Sequence, residues 1–221
     1  MTAPLSNRRL KAELQTLLLN DDFEAMLAAV RSMPLKKVVS PLFSFFCSGE
    51  PLLYWRSISA MGAVVSRMAN DDPEAARVVM RRLMWQLNEE SGGIGWGCPE
   101  AMGDIMACND RMAREYACIL ISYINPCGSF IDHPILQQGI LWGLGRLAHA
   151  RPDRVTAVLE FLSPFLSDAN PVIRGLSAWI AGAFPDSAIK PLRIRLSDDN
   201  EQIPFYISGS LCSRTVGSLA R

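Results

Sequence analysis

Histidine is almost missing from this chain: His133 and His149 are the two among 221 residues. That leaves little from which to build an imidazole-ligated metal centre. The six cysteines (Cys47, Cys98, Cys108, Cys118, Cys127 and Cys212) include no CxxC pair. The nearly regular spacing of Cys98, Cys108, Cys118 and Cys127 puts them in successive helices and a loop, not in the tight hairpins of a zinc site. They read as free thiols, and no metal or cofactor is implied. Charge of either sign is not in excess, with Lys plus Arg at 22 and Asp plus Glu at 22. A general nucleic-acid binder needs a basic surplus to displace counterions, so nucleic acid is disfavoured as a partner. No uninterrupted apolar run of about 18 residues occurs, which excludes a helical membrane span. The start, MTAPLSNRRLKAEL, lacks the apolar core of a secretory signal, so a cytoplasmic location is expected. No stretch alternates cleanly over a strand length. No serine, cysteine or lysine has an evident activating neighbour, so no catalytic residue is assigned.

What is present is helix. The chain is 49% hydrophobic and 20% charged, enough apolar content for a large core. Four glycines, Gly62, Gly103, Gly145 and Gly182, recur in apolar helical settings at steps of 41, 42 and 37 residues. A period of that length, built of two helical stretches, marks a helix-pair solenoid. An interior glycine costs about 1 kcal/mol against alanine, and repeated glycines predict close approach of helices at those points.

The spacing predicts helices over 7–19, from a cap at Asp21 or Asp22 to about 32, and over 35–47, 52–69 and 73–87. Further helices are predicted over 99–107, 111–124 and 135–150. Pro152 to Leu166 is the clearest amphipathic stretch, with Val155, Val158, Leu159, Leu162 and Phe165 on one face. Val172 to Phe184 is its partner. The final pair is expected at 188–196 and 204–219. The whole chain reads as one domain with approximate units 1–34, 35–70, 71–110, 111–151, 152–186 and 187–221.

DANPVIRGLSAWIAGAF (Asp168 to Phe184) resembles a HEAT repeat, notably the short type named from phycobilisome lyases. The likeness rests on the Asp, Pro171, Arg174, the small residues and Gly182. GEPLLYWRSISAMGAV (Gly49 to Val64) is similar through Pro51, Arg56 and Gly62. The third unit departs, with Gly95-Trp96-Gly97 at the arginine position. The resemblance covers roughly residues 35 to 215. It implies an all-α fold: a right-handed α/α superhelix, HEAT/armadillo-like, of about five helix pairs with its second helices on a concave surface. It implies no particular chemistry, since such repeats serve scaffolds, lyase-type subunits and DNA glycosylases alike.

One segment breaks the pattern. Between Asn88 and Glu100, four glycines fall within six residues (Gly92, Gly93, Gly95, Gly97), freeing the backbone for positive φ. Glu89, Glu90, Ser91, Gly92, Gly93, Trp96, Glu100 and Asp104 form the candidate binding set. Glu100 and Asp104 are four apart and share one helix face. Backbone amides there suit an anion, the acids a hard cation, and Trp96 a partner or aromatic ligand; a purely structural turn with Trp96 plugging the core explains the same residues. The segment is neither GxGxxG after a strand nor a Walker sequence. His133 reads as a helix cap and His149 as a helix-end group. Tyr54, Trp55, Trp142 and Trp179 on second helices fit core packing better than the groove. The basic groups Arg77, Arg81, Arg82 and Arg8, Arg9, Lys11 read as solvated faces. The expected function is a protein-interaction scaffold or adaptor gripping a protein or peptide on its concave surface. The alternatives are a small-molecule-binding or lyase-type protein and, against the charge balance, a DNA glycosylase-like one.

Overall fold

The computed structural model describes residues 7–88 and 94–221. Of the candidate set, Glu89, Glu90, Ser91, Gly92 and Gly93 lie outside the described residues. The chain is an all-α solenoid of helix pairs: α1 (Asn7–Leu18) with α2 (Phe23–Ser32), α3 (Leu35–Phe45) with α4 (Pro51–Asp71), α5 (Pro73–Leu87) with α6 (Cys98–Cys108), and α7 (Asp110–Ser122) with α8 (Pro134–Ala150). α9 (Leu162–Leu166) and α10 (Pro171–Gly182) follow, then α11 (Lys190–Ile194), strands β1 (Gln202–Ile207) and β2 (Ser210–Thr215), and α12 (Val216–Ala220).

Local chemistry sets the boundaries. The carboxylates of Asp22 and Asp72 accept the amides of Ala25 at 2.9 Å and Ala75 at 3.1 Å, and the Asn109 and Asn170 side chains cap α7 and α10. Side-chain caps of this kind satisfy amides that the first turn leaves open. Proline occupies the first turn of α4, α5, α6, α8 and α10, where its missing N–H is not needed.

The second helices α2, α4, α6, α8 and α10 stack side by side as an inner row, with the first helices packed outside it. Glycines decide how close the row is. A side chain on Gly103 would collide with the Gly143 backbone, and one on Gly145 with the Trp179 ring. One on Gly62 would overlap the Asp104 carboxylate. Gly182 departs from the expectation: it ends α10, and a Cβ there would meet nothing nearer than 3.6 Å.

Two predicted helices are corrected. Residues 152–166 keep their apolar face, with Val155, Val158 and Leu162 fully buried. They form 3₁₀ turns at Pro152–Arg154 and Thr156–Glu160 and then the five-residue α9. Pro164 accounts for the break between Glu160 and α9, because a continuous α-helix would press its ring on the Glu160 carbonyl and leave that carbonyl without a donor; nothing in the structure explains the 3₁₀ turns before it. The helix expected over 204–219 is instead the antiparallel hairpin β1–β2, with Ile207 opposite Ser210. Ser208 and Gly209, at φ of 49° and 79°, make its two-residue turn, the left-handed pair that suits the twist of a hairpin. Pro204 is tolerated because each strand of a two-stranded sheet is an edge.

Candidate functional site

The hairpin lies across the free face of the inner row. Tyr206 is its keel: its ring stacks on Trp55 at 5.1 Å and 13°, and its hydroxyl meets Ser59 Oγ at 2.9 Å. The Trp142 indole N–H donates to the Tyr206 carbonyl at 3.1 Å. Phe205 meets Trp179 edge-on, with centroids 4.9 Å apart. At the tip, Arg56 Nε donates to the Gly209 carbonyl at 3.1 Å, while the same guanidinium donates to Leu18 and Asn20 carbonyls. Gly209 sits against the Phe23 ring with no room for a side chain. One buried arginine therefore ties the last segment of the chain to the first repeat.

Tyr206 and Trp142 divide this face into two cavities, since both residues line both. The first is about 420 Å³, bounded by Tyr54, Trp55, Trp96, Trp142 and Tyr206 with Glu100 among them. The second is about 470 Å³ and more polar than the first, with Glu24, Arg31, Asp104, Arg146 and His149 on its walls. Glu100 and Asp104 share one face of α6, as their spacing predicts, yet each meets a different cavity.

Glu100 is 6% exposed. Its Oε1 accepts the Tyr54 hydroxyl at 2.8 Å, and its Oε2 has no hydrogen-bond partner among the described residues. Burial pushes its carboxyl up to about 7, against the pull of the Tyr54 hydrogen bond. The Tyr54 hydroxyl is raised well above its ordinary value by burial and by the adjacent carboxylate. Gly139 on α8 makes the space, because a Cβ there would stand 2.6–2.7 Å from the Glu100 carboxyl group. Gly97 starts α6 at φ 71° with the Phe46 ring 2.8 Å from where its Cβ would be. No other residue type takes that conformation in that space without strain. Trp96, half-buried, meets the His133 ring edge-on at 5.8 Å.

Asp104 is as buried as Glu100 but paired: Arg146 Nε donates to its Oδ1 at 2.8 Å. Burial raises the Asp104 carboxyl, and the Arg146 charge opposes that rise.

The other sequence candidates fall into place. His133 is the N-cap of α8, its Nδ1 accepting the Leu136 amide at 3.4 Å. His149 stacks on Trp179 at 5.0 Å, and its Nε2 lies 2.9 Å from the Trp179 carbonyl. Arg77 forms a bidentate pair with Glu115 at 2.7 and 2.8 Å, Arg81 pairs with Glu74 at 2.6 Å, and Arg82 covers the Phe43 ring at 4.0 Å. Trp142 and Trp179 are buried in the core, as read, and Tyr54 and Trp55 are partly buried against it; the four rings also line the inner-face cavities. Sequence reasoning missed Tyr206, Gly139 and Gly143. Ser208-Gly209, flanked by Phe205-Tyr206-Ile207 and Leu211, is a two-residue turn between β-prone residues and would have located the hairpin. Among the described residues, no group of three or more His, Cys, Asp or Glu side chains could hold a metal ion. No described helix is long and apolar enough to cross a membrane.

This architecture defines an armadillo-like helical-repeat protein. It is similar to a designed armadillo repeat protein over 94% of this chain and 95% of that one, with a TM-score of 0.50 and 12% identity, a likeness of fold alone. Two engineered proteins align at TM-score 0.47, with 14% and 13% identity, covering 86% and 89% of this chain and 90% and 55% of theirs. No protein-family model matches the chain, and no curated protein matches it.

Proposed function

We propose that this protein is a non-catalytic recognition module whose aromatic cavity receives a projecting group of a partner polypeptide. One observation carries the reading: a cavity of about 420 Å³ on the inner face, walled by aromatic side chains from several elements, with one buried acid. Ligand sites commonly span roughly 300–1,000 Å³ and combine apolar walls with few polar groups. The hairpin fills the middle of the face, so a partner strand has no continuous groove to follow. A partner engages by inserting a side chain, with the tryptophans as contacts. Trp96 and Glu100 belong to this site, and Glu89, Glu90, Ser91, Gly92 and Gly93 remain in the proposal as the segment leading to it. Asp104 lies across the divide and is left out. The module works in the cytoplasm, where its six cysteines stay reduced.

The test compares proteins retained by the intact chain with those retained by Trp96→Ala plus Glu100→Ala and by a cavity-filling Leu176→Trp. Partners lost from both variants support the reading. An unchanged set overturns it.

The raised Glu100 carboxyl favours a second reading, a small-molecule site of the lyase-type HEAT proteins, because an acid that titrates near neutrality suits proton transfer. It predicts a compound retained through gentle purification. Absorbance scans and native mass spectra showing bare polypeptide would remove it.

A further inference from the structure

Among the described residues, the lining of the aromatic cavity includes no lysine, arginine or histidine, and the one carboxylate, Glu100, has a buried oxygen without a partner. Leaving such an oxygen unsatisfied costs on the order of 1–3 kcal/mol, more when it is charged. Protonation does not remove the deficit, since a protonated Oε2 would need an acceptor of its own. The walls offer ring faces in several orientations: Tyr54 is perpendicular to Trp55 at 5.3 Å, and Trp55 is tilted by 55° to Trp142 at 4.8 Å.

Resting on the recognition reading, we infer that the group received is a cationic nitrogen, the ammonium or guanidinium of a partner's lysine or arginine side chain, donating to Oε2 of Glu100 between the aromatic walls. A cation satisfies the unpartnered oxygen through a charge-assisted hydrogen bond, and the ring faces attract the same charge. An apolar group would leave the oxygen orphaned, and an anion would meet the carboxylate. Gly139 keeps α8 bare beside the carboxyl group, where even a methyl group would crowd it.

The groups facing Glu100 sharpen the pH dependence. They are Tyr54 from α4, Cys98 from the head of α6, Cys47 from the segment after α3, and Tyr206 from β1. α8 contributes Gln138 and Gly139, α10 contributes Val172 and Leu176, and His133 stands behind Trp96. Glu100, raised to about 7 by burial, changes charge near neutrality. A cationic guest competes with its proton, so affinity rises with pH across neutrality.

The experiment titrates the full chain with n-butylammonium, N-methylguanidinium, 1-butanol, acetyl-Gly-Lys-Gly-amide and the norleucine form of that peptide, followed by NMR shifts of the indole N–H signals. Both cations and the lysine peptide are expected to bind, about tenfold tighter at pH 8 than at pH 6, the ratio of ionised carboxylate for a group titrating near 7. Glu100→Gln should weaken them at least tenfold and remove the pH slope. Tyr54→Phe deletes the hydrogen bond that favours ionisation, so it should move the midpoint of the slope to higher pH and keep binding at pH 9. Butanol and the norleucine peptide binding as well as the cations, unaffected by Glu100→Gln, overturns the cation inference and leaves the recognition reading standing. Butylammonium bound but the lysine peptide refused overturns the polypeptide source. No probe moving any cavity signal overturns both the inference and the reading beneath it.

Discussion

Two acids one turn apart on α6 have opposite surroundings. Glu100 and Asp104 are 6% and 5% exposed. Asp104 is paired directly with Arg146 on the wall of the second cavity, and Glu100 faces aromatic rings with one oxygen unmatched among the described residues. The same helix face therefore supplies an ion pair on one side of Tyr206 and a buried acid with an unpartnered oxygen on the other. A buried charge with a partner is a structural element, while a buried acid without one is held in place by the rest of the fold and is available to a ligand.

The partition is the first thing to break. Tyr206→Ala removes the stack on Trp55, the hydroxyl contact with Ser59 and the wall between the cavities. It should lower stability by about 3–5 kcal/mol, the usual range for truncating a large buried ring. Urea unfolding measures the loss, and faster amide exchange confined to 202–215 would show that the hairpin has lifted.

Next is the pair. Arg146→Ala leaves Asp104 buried without its counter-charge. The expected loss is about 3 kcal/mol at pH 7, shrinking as the pH is lowered and Asp104 takes up a proton. A loss that stays constant with pH would mean that Asp104 contributes packing alone.

Glu100→Gln should act with the opposite sign. Its folded-state carboxyl lies above the unfolded value, at about 7 against 4.5. The folded state therefore holds a proton that the unfolded state has lost between those values, and wild-type stability falls as pH rises from about 4.5 to 7, then levels. The glutamine variant should lack this fall, so its stability relative to wild type should rise by about 2–3 kcal/mol from pH 5 to pH 8. Thermal unfolding of both proteins at pH 5 and pH 8 checks it.

The sequence made one side of the comparison legible and hid the other. The shared helix face of Glu100 and Asp104 follows from a spacing of four, and the glycine-rich approach to Trp96 marked this region as unlike the other repeats. What surrounds each acid depends on residues far away in the chain. Arg146 lies a whole repeat later, and Tyr206 reaches Ser59 across 147 positions. The helix pairs were readable because their apolar period, caps and prolines are local. The hairpin was not, because Ile203, Phe205 and Tyr206 are buried in a pattern that is neither purely alternating nor helical. Its strands use both faces, with Ile203 against Gly175 on one side and Tyr206 against Trp55 on the other.

The smallest expected effect tests the glycine repeat that opened the fold. Gly103 and Gly182 occupy equivalent places in the sequence pattern, but Gly103 touches the backbone of Gly143, whereas a Cβ on Gly182 would make only ordinary contacts, the nearest at 3.6 Å. Gly103→Ala must push α6 and α8 apart beneath both acids, so a loss of about 1–3 kcal/mol follows from overpacking. Gly182→Ala brings no collision and restricts the unfolded chain, so a gain of about 0.5–1 kcal/mol is expected. Chemical denaturation of the two variants side by side measures the difference. If both lose stability alike, glycine at 182 serves a contact outside this chain. If both are neutral, the α6–α8 spacing is soft, and the depth at which Glu100 is held is not set by Gly103.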